Sequence, residues 1–197
     1  MSFLSKTTLT GTLVQLEPLS LEHTEDLQEA CADGELWNLW YTFIPRPEGI
    51  EDMIRSYLTQ QDAGQMLPFA TRRLSDQKII GVTTFYNIDE DAPRVFIGYT
   101  WNAASAQRSG TNVESKLLLL THAFETLGCA SVYLETHKFN HQSRKAIEAI
   151  GGSLDGILRN WRRQPDGSLR DSAMYSIVRD EWGAVKNLLN HRLRKYL

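Results

Sequence analysis

The sequence predicts an α/β fold: a single domain in which a mixed sheet of about seven strands is flanked by helices. Three observations predict it. Short runs rich in β-branched and aromatic residues alternate with longer segments whose apolar residues recur at helical spacing. No linker, internal repeat or low-complexity stretch divides the 197 residues, a length suited to one substantial domain. Hydrophobic residues make up 42% and charged residues 23%, proportions of a globular chain rather than a disordered one.

The elements follow in order. "LVQLEPLS" (13–20) mixes apolar and polar positions, stops at Pro18 and reads as an opening strand. "SLEHTEDLQEACADG" (20–34) reads as a helix, with Ser20 as N-cap, acids in its early turns and Gly34 beyond its end. Residues 36–47, "LWNLWYTFIPRP", are aromatic, irregular and closed by two prolines. In 49–64, Ile50, Met53, Ile54 and Leu58 fall at helical spacing before Gly64. Three strands come next, at 66–73, 78–88 and 94–101, and the tight turn "LSDQ" makes the first two an antiparallel hairpin.

A helix runs from about Asn112 to Leu127, with Val113, Leu117, Leu120, Phe124 and Leu127 on one face and Gly128 at its end. A fifth strand (130–136) and a short helix (140–152) lead to two strands within 158–178. These two flank "PDG", where Pro165 presets φ and Gly167 permits φ > 0. A helix over 180–197 closes the chain, with Trp182, Val185 and Leu189 along one side. That face exceeds what docking a short helix needs, so a homodimer is expected.

Composition narrows the function. A net charge of −3 excludes a broadly basic nucleic-acid footprint. No apolar run approaches a membrane span, the longest being the four leucines 117–120. The N-terminal stretch lacks the pattern of a secretion signal. Cys31 and Cys129 have neither metal-ligand nor redox spacing, which predicts reduced core thiols in a cytoplasmic protein with no metal.

The informative stretch is "AQRSGTNVESKLLLL" (106–120). A loop that leaves a strand near Trp101 and enters a helix near Asn112 delivers free backbone N–H groups to one point. Together with the positive end of the helix dipole they favour an anion. Gly110 allows the turn and a close approach. Thr111 and Glu114 also fit a capping box, which explains the helix start without any ligand.

This loop resembles the pyrophosphate-binding signature of the GCN5-related N-acetyltransferases, Q/R-x-x-G-x-G/A. Gln107 and Gly110 match it, and Asn112 stands where that pattern has Gly or Ala. "NHQSRKAIEAIGG" is similar to the family's segment after the fifth strand. The paired final strands resemble those of the RimJ/RimL-like branch, and the element order agrees over nearly the whole chain. The resemblance implies acetyl-CoA as cofactor, held in a V-shaped opening between the fourth and fifth strands, whose unpaired backbone groups suit the amide-rich pantetheine arm. The pyrophosphate would lie on the N–H groups of Arg108, Ser109, Gly110, Thr111, Asn112 and Val113. Asn140, Ser143 and Arg144 would contact the cofactor; Asn140 also reads as a helix N-cap, Arg108 as a solvated surface residue, and Ser143 and Arg144 as exposed helix residues.

The implied reaction is direct attack of a primary amine on the thioester. A backbone N–H near Tyr99 or Thr100 would hold the oxyanion. The position of the family's thiolate-protonating Tyr is Ile147 here, which keeps a non-catalytic CoA-binding sensor on the same fold as the alternative. His137 is a candidate general base or an ordinary loop histidine. Glu90, with Asp89 and Asp91, is a candidate base or an attractor for a cationic acceptor, or simply a polar turn. Trp37, Trp40 and Tyr41 line an acceptor wall or form a core patch. The prolines and large rings of 36–47 predict a narrow pocket for a small amine rather than for a protein or peptide N-terminus, the other acceptor class.

Overall fold

The computed structural model describes residues 5–164 and 166–197, so Pro165 and the first four residues lie outside the described residues. Its strands are β1 (Leu9–Thr10), β2 (Val14–Pro18), β3 (Met66–Arg73), β4 (Ile79–Asp89), β5 (Arg94–Asn102), β6 (Ser131–His137), β7 (Ser153–Arg163) and β8 (Leu169–Val178). They form one sheet in the order β1-β2-β3-β4-β5-β6-β8-β7. All neighbours are antiparallel except β5 and β6, which run parallel. The helices are α1 (Thr24–Ala32), α2 (Ile50–Asp62), α3 (Thr111–Thr121), α4 (His141–Ala149) and α5 (Trp182–Leu193); α3 continues as a π turn, His122–Thr126.

The mixed sheet and its flanking helices are those the sequence predicts, with one added strand. β1 has only two residues, too few for periodicity to reveal, and folds back on β2. The predicted fourth and fifth strands are therefore β5 and β6. β7 begins at Ser153 rather than 158, because its first three residues are exposed and carry no apolar alternation.

Each face of the sheet buries its own core. One packs against α3, α4 and α5 around Phe69, Phe85, Leu119, Leu134 and Tyr175. The other packs against α1 and α2 around Leu27, Ile50, Ile54, Val82 and Trp101. Cys31 and Cys129 are buried free thiols. Among the described residues no helix is long and apolar enough to cross a membrane.

Trp182 is not left over for a partner. Its ring stacks on Phe124 at 5.2 Å, its Nε1–H donates to Glu125 at 2.8 Å, and Val185 and Leu189 are buried beside it. The apolar side of α5 that suggested a homodimer is thus used within the chain.

The first turn of α3 does not form the capping box. Thr111 Oγ1 donates to the Ala106 carbonyl instead. The Glu114 carboxylate, buried, accepts the backbone N–H groups of Thr12, Leu13 and Val14 at 2.8, 2.6 and 2.7 Å. One side chain thereby satisfies three donors of the β1–β2 turn across a separation of 100 residues or more. Gly11 leaves room for it, since a Cβ there would collide with the carboxylate.

Glu114→Leu would strand these three donors, each at a cost of about 1–3 kcal/mol. Urea denaturation is expected to show a loss of about 3 kcal/mol or more. An unchanged midpoint would show that the strap carries no stability.

Candidate functional site

The ladder between β5 and β6 runs through the pairs Arg94↔Ser131 to Ile97↔Leu134 and stops there. Beyond it, each strand keeps only its outer neighbour: β4 for β5 and β8 for β6. The register of β4 against β5 then jumps, from Thr84↔Gly98 to Val82↔Trp101, so that Tyr99 and Thr100 together face Thr83. This is a β-bulge, and Tyr99 takes φ +49 within it. Thr100 and His137 each lie three residues past the last pair, on opposite lips of the opening.

Each lip continues into a helix whose N-terminus follows the carboxyl end of a parallel strand, the place where anions bind in such units. On the β5 side, Arg108 (φ +61) and Gly110 (φ +89) turn the chain into α3. The Ser109 and Thr111 hydroxyls both fold back onto the Ala106 carbonyl, at 2.6 and 3.0 Å. Among the described residues, the backbone N–H groups of 108–113 donate to no protein acceptor; the first to do so in α3 is Glu114, to the Gly110 carbonyl. With the capping box unmade, six consecutive donors stand at one helix start, as an oxyanion-rich ligand requires. A Cβ on Gly110 would press on the Tyr196 ring, so this glycine answers to the C-terminus of the chain as well as to the loop.

On the β6 side, the Asn140 side chain accepts from Ser143 N–H at 2.9 Å and caps α4. Arg144 is engaged internally: its Nε donates to the Tyr175 hydroxyl at 2.9 Å, which in turn donates to Glu148. Ile147 is buried in the core below. Gln142 reaches Gln107 across the two lips at 3.5 Å.

The face of the opening toward α1 and α2 carries the remaining candidates. Tyr99 sits edge-on to Tyr57 and Tyr86, whose hydroxyls burial pushes well above the usual range. His137 is buried, and its Nδ1 accepts from the Phe139 N–H at 3.0 Å, so the neutral ring carries its proton on Nε2. Burial, then the charge of Arg170, lowers its pKa. In this tautomer Nε2 is a hydrogen-bond donor and Nδ1 is already engaged. Trp40 packs on it at 5.0 Å, with Tyr41 edge-on to Trp40 at 5.5 Å; Trp37 lies apart, under Arg46.

The rings on this face lie open to solvent: Trp40, Phe43 and Phe139 are 62%, 47% and 53% exposed. Asp89, Glu90 and Asp91 do not reach them. They occupy the β4–β5 turn, where Asp89 pairs with Arg94 at 2.8 Å. At about 3.3 Å per residue that turn lies roughly 16 Å from the bulge.

Two groups escaped the sequence reading. Glu135 of β6, its side chain 2% exposed, is gripped by Arg162 at 2.8 and 2.7 Å, by Arg170 at 3.1 Å and by the Ser172 hydroxyl at 2.7 Å. Burial would raise its pKa, but the hydrogen bonds from Arg162 and Ser172 outweigh that and hold it below the ordinary range. Lys116 of α3 is buried, and its Nζ donates to the hydroxyls of Thr100 and Thr83 at 2.8 and 3.2 Å, directly behind the bulge. Neither position follows an apolar period, and their partners lie on other elements.

Residues 14–153 match the family model of the acetyltransferase (GNAT) domain. No curated protein sequence matches the chain. Among solved structures, a candidate acetyltransferase from T. thermophilus is 30% identical, with a TM-score of 0.83 over 94% of this chain and 96% of its own. RimJ of Mycobacterium smegmatis, in complex with CoA-disulfide, has a TM-score of 0.82 at 18% identity, covering 98% and 97% of the two chains. RimL, a ribosomal L7/L12 alpha-N-protein acetyltransferase, has a TM-score of 0.76 at 16% identity over 88% and 94%. At these identities RimJ and RimL establish the fold.

Lys116 makes pH a probe of the bulge. Burial brings its pKa down to about 7 from 10.5. Between those values the unfolded chain binds the extra proton, so stability rises with pH across the window, by at most about 1.4 kcal/mol per unit. Urea unfolding should become harder from pH 7 to 9 in the parent, and Lys116→Met should flatten that slope. Parallel slopes would place the ammonium in water.

Proposed function

Since the chain belongs to the GNAT acetyltransferase family, we propose that it transfers an acetyl group from acetyl-CoA to a primary amine by direct attack at the parting of β5 and β6. One observation carries this reading: six N–H groups at the start of α3, unpartnered among the described residues, stand beside two strand edges whose ladder has ended. These fit, respectively, the diphosphate and the amide-bearing arm of coenzyme A. When bound, acetyl-CoA supplies an acetyl group already activated as a thioester.

The chain's own groups do the rest. The backbone N–H groups of 108–113 hold the phosphates, with Arg108, exposed beside them, adding charge. The bulge frees backbone groups at Tyr99 and Thr100 from the β4 ladder, and an N–H there donates to the carbonyl oxygen as negative charge builds on it. His137 Nε2–H is a second donor on the opposite lip.

Among the described residues the two carboxylates considered are not placed to act as the base: Glu135 is fully engaged, and Glu90 lies in the β4–β5 turn at the other end of β5. The acceptor instead loses its proton to water in the open cleft; as the new C–N bond forms the thioester C–S bond breaks, and coenzyme A leaves as a thiolate that water protonates, since Ile147 offers no proton there. The two guanidiniums beside Glu135 favour the neutral amine over the ammonium. The exposed rim of Trp40, Phe43 and Phe139 admits a peptide N-terminus as well as a small amine.

Coenzyme A at a hundredfold excess over its Kd is expected to add about 2.7 kcal/mol of stability, a Tm rise of several degrees. NAD and ATP, lacking the pantetheine arm, should not match it. Free-thiol release from acetyl-CoA with a panel of amines and N-terminal peptides then tests transfer itself. A flat melting temperature at saturating coenzyme A would remove the cofactor from the proposal.

A further inference from the structure

The acceptor face carries more positive charge than it can pair. Side chains of β6, β8 and β7 alternate, and the register sets Glu135, His137, Ser172, Arg170 and Arg162 toward one another on the cleft side. Glu135 is the carboxylate shared by both guanidiniums. Its two oxygens already accept from Arg162 Nε and Nη2, Arg170 Nη2 and the Ser172 hydroxyl. The Arg170 side chain is only 9% exposed, and its Nε has no partner. Among the described residues, Nη1 of Arg162 and Nη1 of Arg170 donate to no protein acceptor either. Phe43 of the α1–α2 loop lies over the Arg170 guanidinium at 5.5 Å and shields it from water.

The surrounding surface repeats the imbalance, since Lys138 and Arg159 share Asp171. At Glu135, two cations against one carboxylate leave a surplus charge, and the Arg170 share of it is withdrawn from solvent. Such a charge is costly until an anion reaches it. A guanidinium with a free edge selects a carboxylate by geometry as well as by charge.

We infer that the acceptor amine bears a carboxylate close to its amino group, and that Arg162, backed by Arg170, receives it. This rests on the transfer reading above and goes further by naming the substrate class. The same chemistry is offered by the α-carboxylate of a free amino acid and by an acidic residue next to a peptide N-terminus.

The test uses matched acceptors that differ only in that group: an amino acid against its amide, and a peptide beginning Ser-Asp against one beginning Ser-Asn. At low salt, kcat/KM should favour the acidic member of at least one pair by about tenfold, or about 1.4 kcal/mol. The pair that responds identifies the source. The preference should shrink as ionic strength rises, because the Arg162 side chain is 34% exposed. Arg162→Gln should reduce the ratio to within about threefold of unity, and Arg162→Lys should keep more of it than Gln does.

Equal turnover of both members in both pairs, or a preference that survives Arg162→Gln intact, overturns the inference. If Arg162→Gln fails to fold, the acid-to-amide ratio of the parent and its salt dependence decide. Thiol release from no acceptor at all, with coenzyme A still raising Tm, would count against transfer itself and take this inference with it.

Discussion

Hydrogen bonding between β5 and β6 ends at Ile97 and Leu134, and the rest of the molecule is arranged around the edges this leaves bare. A parallel pair that simply stopped inside a sheet would strand polar backbone groups away from water. Three features accommodate the break. β4 and β8 hold the outer edges of the two strands, so neither lip is free to wander. The bulge at Tyr99 and Thr100 turns the β5 lip out of register. Both strands then lead through short loops into helices, β5 into α3 and β6 into α4. The helices on one face and the α1–α2 loop on the other follow from that geometry.

Charge is handled differently on the two sides of the sheet. Behind the opening, α3 buries Glu114 and Lys116 within one turn of each other. Three backbone N–H groups take the place of water around the Glu114 carboxylate. Lys116 meets two threonine hydroxyls and no carboxylate among its hydrogen-bond partners, and burial drives it toward the neutral amine. In front, guanidinium edges and a hydroxyl compensate the Glu135 carboxylate for the loss of water, which lowers its pKa and raises that of Arg162. The cluster's unpaired remainder faces the cleft.

Much of the fold was legible in the sequence. Period-two runs and amphipathic segments located β2 to β6 and all five helices, and the Gly stops at 34, 64 and 128 fell where helical segments end. The turn into α3 was legible too, because a glycine between a strand and a helix is a local signal. The face of the opening toward α1 and α2 was not. Which end of the β4–β5 hairpin faces the cleft depends on the direction of β5, so Asp89, Glu90 and Asp91 read as neighbours of the site although they sit at its far end. Arg162, Arg170 and Glu135 come from three strands and meet only through register. Glu114 looked like part of a local cap because its partners lie about a hundred residues away. Trp182 looked spare because Phe124, which covers it, belongs to another helix.

The strap from Glu114 also ties two distant events to one turn of helix. The donors of 108–113 and the acceptor carboxylate of Glu114 share the start of α3, so whatever steadies or frays that turn acts on the β1–β2 turn at once. The amides of Thr12, Leu13 and Val14 can exchange their hydrogens with solvent only when the carboxylate lets go. Those three amides, about a hundred residues from α3 in the chain, therefore keep time with its first turn, and their exchange rates report that turn from the β1 edge of the sheet.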